Sequence, residues 1–152
     1  MGGNTTGDGN TAIGYAALLG NTTQDNNTAV GRVALEQNQG TNNTAVGSNA
    51  LTVNTTGSNN TALGMQALFK CTTGETNTAI GSGAMYQTTD GDFNVAIGHN
   101  SLYNNQGDYN TAMGRQAGQS SITGTNNTSL GYMAQPSNTV SYTHLPSPRD
   151  RG

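Results

Sequence analysis

The sequence predicts an all-β fold, a β-solenoid (parallel β-roll or β-helix) of about eight coils of 16–17 residues each. Three observations predict it. A five-residue block, most often Asn-Thr-Ala-aliphatic-Gly, starts at residues 10, 27, 43, 60, 77, 94, 110 and 127, with spacings of 17, 16, 17, 17, 17, 16 and 17. Alternation inside the block puts its residues on two faces, as in a strand. Every block ends in Gly and every period contains an Asn-, Thr- and Gly-rich loop, which would stop a helix after about two turns, each Gly costing ~1 kcal/mol against Ala.

With each block's Asn numbered zero, the coil can be assigned position by position. Positions +1 to +3 form a short strand, and the Gly at +4 makes a bend. These glycines are Gly14, Gly31, Gly47, Gly64, Gly81, Gly98, Gly114 and Gly131, placed where a bend or close approach forbids a side chain. A second short segment ends near +8, and a turn such as Asn54-Thr55-Thr56-Gly57 closes the coil. Both short copies lose their residue between +8 and the Gly at −3, so the length change is confined to the loop. Stacked coils about 4.8 Å apart would make a rod roughly 38 Å long.

Stacking turns each position into a ladder. The large aliphatics at +3, Ile13, Val30, Val46, Leu63, Ile80, Ile97, Met113 and Leu130, are predicted to form the structural core ladder inside the coil. Leu18, Leu35, Leu51, Leu68, Met85 and Leu102 form a second one. Thr11, Thr28, Thr44, Thr61, Thr78, Thr111 and Thr128 make a third row, interrupted by Val95, and the eight Asn a fourth, whose amides can bond along the axis. The face opposite the aliphatics holds only small residues and Asn, so the strand is restricted on both sides, as strands buried on both faces are. About two large aliphatic side chains per coil is little for a lone chain, so the working unit is predicted to be an oligomer.

The repeats occupy residues 1–139. Asn4-Thr5-Thr6-Gly7 matches the loop that precedes a block, so the array is expected to begin inside a coil, without a cap. Residues 140–152, VSYTHLPSPRDRG, carry no trace of the repeat and are similar to the translation of a sequencing-library adapter. They are expected to be an artefactual, disordered tail outside the fold.

Composition narrows the function. Asn, Thr and Gly supply 67 of 152 residues, only 9% are charged, and the formal charge is −3. Five scattered Lys and Arg make no basic patch, so no nucleic-acid partner is expected. No apolar run reaches the roughly 18 residues that span a bilayer, so no membrane insertion by this segment is expected. A single Cys cannot make an intrachain disulfide.

The blocks, with Ala-Leu following Asn-Thr-Ala-aliphatic-Gly, resemble the Ser-Val-Ala-Ile-Gly repeat in the heads of trimeric autotransporter adhesins. The fuller pattern, with Asn-Thr-Thr-Gly between blocks as in Leu51 to Gly64, resembles the repeat shafts of long phage tail fibres. The resemblance covers roughly residues 4–139. It implies a left-handed parallel β-roll assembled as a homotrimer, in a virion tail fibre or at the bacterial cell surface. Its implied work is mechanical: a shaft or adhesion segment holding a receptor-binding tip away from the particle or cell, with a host surface glycan or protein as receptor. The sequence departs from the adhesin heads in having Asn-Thr for Ser-Val and a longer loop.

No catalytic, cofactor or metal residues are assigned, and the chain is not expected to be an enzyme. Cys71 falls where other copies have Asn and has no base placed beside it, so it reads as an ordinary loop thiol. Asp90-Gly91-Asp92-Phe93-Asn94 has oxygen ligands at alternate positions, which leaves a calcium-binding β-roll as one alternative, though the following Gly and the distant Glu of a calcium loop are missing. An ice-binding solenoid using the Thr row is another. Thr shares its face with the aliphatics, so that row is expected to be partly buried. At +5 the copies carry Tyr15, Arg32, Ser48, Met65, Ser82, His99, Arg115 and Tyr132, a free choice that marks an exposed row. Asn-x-Thr sequons, at Asn26, Asn42, Asn59 and Asn126 among others, follow from the repeat itself.

Overall fold

Three residues of each block, Thr-Ala-aliphatic in most, are short, branched or small, and they suit an extended strand closed by Gly. A computed structural model describes residues 2–120 and 123–135; the tail at 140–152 lies outside them. The eight strands are β1 (Thr11–Ile13), β2 (Thr28–Val30), β3 (Thr44–Val46), β4 (Thr61–Leu63), β5 (Thr78–Ile80), β6 (Val95–Ile97), β7 (Thr111–Met113) and β8 (Thr128–Leu130). They form one parallel sheet in the order β1 to β8. Register is repeat on repeat: Thr44 pairs with Thr61, Ala45 with Ala62 and Val46 with Leu63. The described chain is a β-solenoid, as its period predicts.

The rest of the coil is held by the same axial stacking without being strand. After the Gly at +4 the chain runs through turns, with left-handed backbone at +6 and +8 in most coils. The segment ending near Leu18 is therefore a turn run. Its peptides still reach the next coil: Leu18 N–H donates to Ala34 O at 3.1 Å, and Val33 N–H to Tyr15 O at 2.8 Å. Leu18, Leu35, Leu51, Leu68, Met85 and Leu102 all have φ between 46° and 52°. That conformation costs an L-residue roughly 1–2 kcal/mol, and here it aims the side chain into the interior, where all six are buried.

The interior is narrow. One wall is the Ala at +2 of the strands, completely buried in β2 to β7. The facing wall is the Ala at +7 with the Leu or Met at +8. The remaining space is polar, filled by two Asn columns. In the first, each block Asn accepts the next block's peptide N–H on its Oδ1, as Asn43 does from Asn60 N at 2.9 Å. Its Nδ2 crosses the coil to the loop carbonyl at −3: Asn43 donates to Gly57 O at 2.9 Å. The second column, at +11, includes Asn21, Asn38, Asn54 and Asn105, and it uses the same carbonyls, Asn54 Nδ2 donating to Gly57 O at 2.7 Å. Each such carbonyl thus ties strand to loop.

Candidate interaction face

The Asn columns decide which face of the strand looks out. Because the block Asn must point inward to reach the loop carbonyl, strict alternation sends +2 inward with it and turns +1 and +3 outward. The +3 ladder expected in the core lies on the outer surface. Ile13 is 60% exposed, Leu63 45%, Met113 41% and Leu130 73%, while Val30, Val46, Ile80 and Ile97 are half-buried by their axial neighbours. The physical reason is width. Two walls joined by Asn-to-carbonyl bonds leave room for Ala at +2 and not for Ile or Leu. The ladder at +8 is the real apolar core.

The Thr row is outward too. Thr11, Thr44 and Thr128 are exposed, and Thr28, Thr61, Thr78 and Thr111 half-exposed. The outer face of the sheet is thus two parallel rows, one of Thr with Val95 in it and one of aliphatics, in register over eight strands. The β5–β6 step shows the pattern: Thr78 stacks on Val95 and Ile80 on Ile97.

The Gly at +4 fixes the edge of this face. Gly14, Gly31, Gly47, Gly64, Gly81, Gly98, Gly114 and Gly131 all have φ between 116° and 139°. A Cβ on Gly64 would lie 2.6 Å from the carbonyl carbon of Gly81, in the next coil, so backbone occupies the side-chain position. Only Gly permits both. Beyond it, the +5 row is outward as the sequence predicts: Tyr15, Arg32, Ser48, Met65, His99, Arg115 and Tyr132 are exposed, and Ser82 is half-buried.

Cys71 lies in the loop as expected, at a position of the second Asn column where its side chain is completely buried. Burial pushes its pKa up to about 12, against the lowering pull of the Gly74 backbone; the protonated thiol donates to Gly74 O at 3.6 Å. It is the least reactive form of a thiol. The Asp90–Asn94 loop uses its carboxylates structurally. Asp92 Oδ1 accepts Glu75 N–H at 2.7 Å, and Asp90 Oδ1 accepts the Thr89 hydroxyl at 3.1 Å. Among the described residues no group of three or more His, Cys, Asp or Glu is placed to hold a metal ion, and no helix is long and apolar enough to cross a membrane.

Two groups of stacked aromatics, which the sequence reading missed, also mark the surface. Phe69, Tyr86 and Tyr103, at +9 of three consecutive coils, stack at 5.1 Å per step. Phe93 and Tyr109, at −1, stack at 5.1 Å with planes 1° apart and are exposed. The signal was available as a matching position in neighbouring periods. No protein-family model, curated protein or solved structure matches the chain.

Proposed function

We propose that the chain is a structural shaft segment of a phage tail fibre or bacterial surface adhesin, at the virion or cell surface. It holds a receptor-binding tip away from the particle or cell. In this reading the working unit is a homotrimer, and the host surface glycan or protein is met elsewhere on the fibre. The observation that carries it is the outward aliphatic row on an eight-stranded, in-register sheet. A continuous apolar stripe on a stiff rod is the kind of surface that marks an interaction site. Parallel sheets are as a rule covered on both faces. Copies packed around a common axis would cover this one and convert a lean single solenoid into a rigid fibre. Sedimentation equilibrium tests it. The reading expects a species of three times the 15.6 kDa chain mass, and a monomer at every concentration contradicts it.

The outward placement of the Thr row favours one second reading, an ice-binding solenoid. Thr hydroxyls and methyls repeat along the sheet at the strand spacing of about 4.8 Å, beside a row of aliphatics. A trimer that buries this face cannot use it on ice, so the two readings separate. Ice crystals faceted by micromolar monomer support ice binding; unshaped crystals with a trimer in solution support the shaft.

A further inference from the structure

The outer face of the sheet is bordered by two ladders of opposite charge. On its N-terminal side, position −2 carries Asp or Glu in five of the eight coils; on its C-terminal side, position +5 carries three basic side chains, Arg32, His99 and Arg115. Each basic residue shares its coil with an acid: Arg32 with Asp25, His99 with Asp92, Arg115 with Asp108. The two acidic coils without a basic residue present a hydroxyl instead, Tyr15 or Ser82, and every coil neutral at −2 is neutral at +5.

Partners in one coil cannot meet within one chain. Seven residues across the strand and the Gly bend hold them up to roughly 23 Å apart. Among the described residues no ion pair joins them, and Arg115 bonds only sideways, to the Tyr132 hydroxyl at 3.2 Å. The three basic side chains of the row are exposed, and the acids are exposed or half-buried.

We infer that these edges pair between copies, the acidic border of one chain against the basic border of the next. This rests on the self-association reading and adds orientation and register to it. Two solenoids facing each other with axes parallel run their strands in opposite senses, so an acidic edge meets a basic edge. With axes antiparallel and strands in the same sense, acid meets acid. Because matched charges sit in the same coil, opposite charges align when the copies are level. A shift of one coil in one sense also matches them, setting Asp8 against Arg32, Glu75 against His99 and Asp92 against Arg115, while the opposite shift leaves Arg32 facing Thr41. Cyclic closure around an axis along the rod satisfies every edge, the contacts of one copy repeat on the next, and because such closure admits no axial shift it selects the level register. Exposed ion pairs add little strength singly. Their larger effect is choice of orientation and rejection of wrong arrangements.

The test is sedimentation equilibrium of the full chain at low salt with two variants. Arg32→Glu with Arg115→Glu places acid against acid and is expected to weaken association at least tenfold. Adding Asp25→Asn and Asp108→Asn removes that repulsion while keeping the Oδ1 atoms that accept Asp8 N–H and Asp92 N–H. It is expected to recover most of the loss. Circular dichroism should show the same folded coil throughout, since the changed side chains lie outside it. Association of the double Glu variant equal to the unmodified chain, or no recovery in the fourfold variant, overturns the pairing while leaving self-association intact. An unmodified chain that is monomeric at all concentrations overturns self-association itself, and the pairing with it.

Discussion

Asn54 stands one coil before Cys71 in the second interior column, and its Oδ1 receives no hydrogen bond. The preceding steps are closed: Asn38 Nδ2 donates to Asn21 Oδ1 at 3.1 Å, and Asn54 Nδ2 to Asn38 Oδ1 at 2.7 Å. Cys71 has no amide to continue the series, and at the following position Thr88 Oγ1 is also buried without a partner. An unsatisfied buried acceptor costs about 1–3 kcal/mol. The defect coincides with the stack of Phe69, Tyr86 and Tyr103, each two residues ahead of Cys71, Thr88 and Asn105 respectively. The outer aromatic contact falls in the coils where the inner amide series fails.

Cys71→Asn is therefore expected to stabilise the fold by about 1 kcal/mol, raising Tm by roughly 2–4 °C for a chain of this size. Cys71→Ala should give no such gain, because it supplies no donor to Asn54. Parallel thermal melts check both.

The pH dependence of the same thiol has a definite sign. Its pKa rises from 9.0 unfolded to about 12 folded, so between those values the folded state keeps a proton that the unfolded state has lost. Stability should fall with rising pH across that window by about 1.4 kcal/mol per unit. Below pH 9 the contribution is constant. Urea unfolding at pH 8 and 10 should show a drop in the unmodified chain larger than in Cys71→Asn.

At the sheet edge, Gly64→Val and Gly81→Val should cost about 3 kcal/mol or more, since each combines a backbone clash of 2.6–2.7 Å with a φ that L-residues rarely adopt. Changes at Ser48 or Ser82 should stay within about 0.5 kcal/mol. Gly131 provides an internal control: its φ is 116° but among the described residues a Cβ there would meet nothing within 4 Å, so Gly131→Val should cost less than the others. Chemical denaturation of all five variants decides it.

Val33 is β-branched yet has φ of 63°, where Asn49, Gly83 and Asn100 stand at the same position in other coils. Val33→Asn should relieve strain and gain about 1 kcal/mol. An unchanged unfolding midpoint would show that the backbone at 33 carries no such strain.

Much of this architecture is legible in the repeat. Period, strand position, the Gly bend and the loop that absorbs the missing residue all follow from spacing, because stacked coils force like onto like. What alternation cannot supply is parity. It separates Thr61 and Leu63 from Asn60 and Ala62 without saying which pair is inside, and the preference for burying the larger apolar residue points the wrong way. The deciding contact, Asn43 Nδ2 to Gly57 O, joins residues fourteen apart and leaves no periodic mark beyond the constancy of both. The left-handed backbone of Leu68, at φ 51°, is equally hidden, since nothing in a Leu announces it. Cys71 is a loop residue whose polar neighbours in sequence hide that its column is interior.

Adjacent residues of β5 test the inverted parity most directly. Ala79 is completely buried and Ile80 lies on the outer face. Circular dichroism and sedimentation of Ala79→Lys and Ile80→Lys are expected to give, respectively, a chain that fails to fold and a folded solenoid that no longer self-associates. A folded Ala79→Lys beside an unfolded Ile80→Lys would contradict the account.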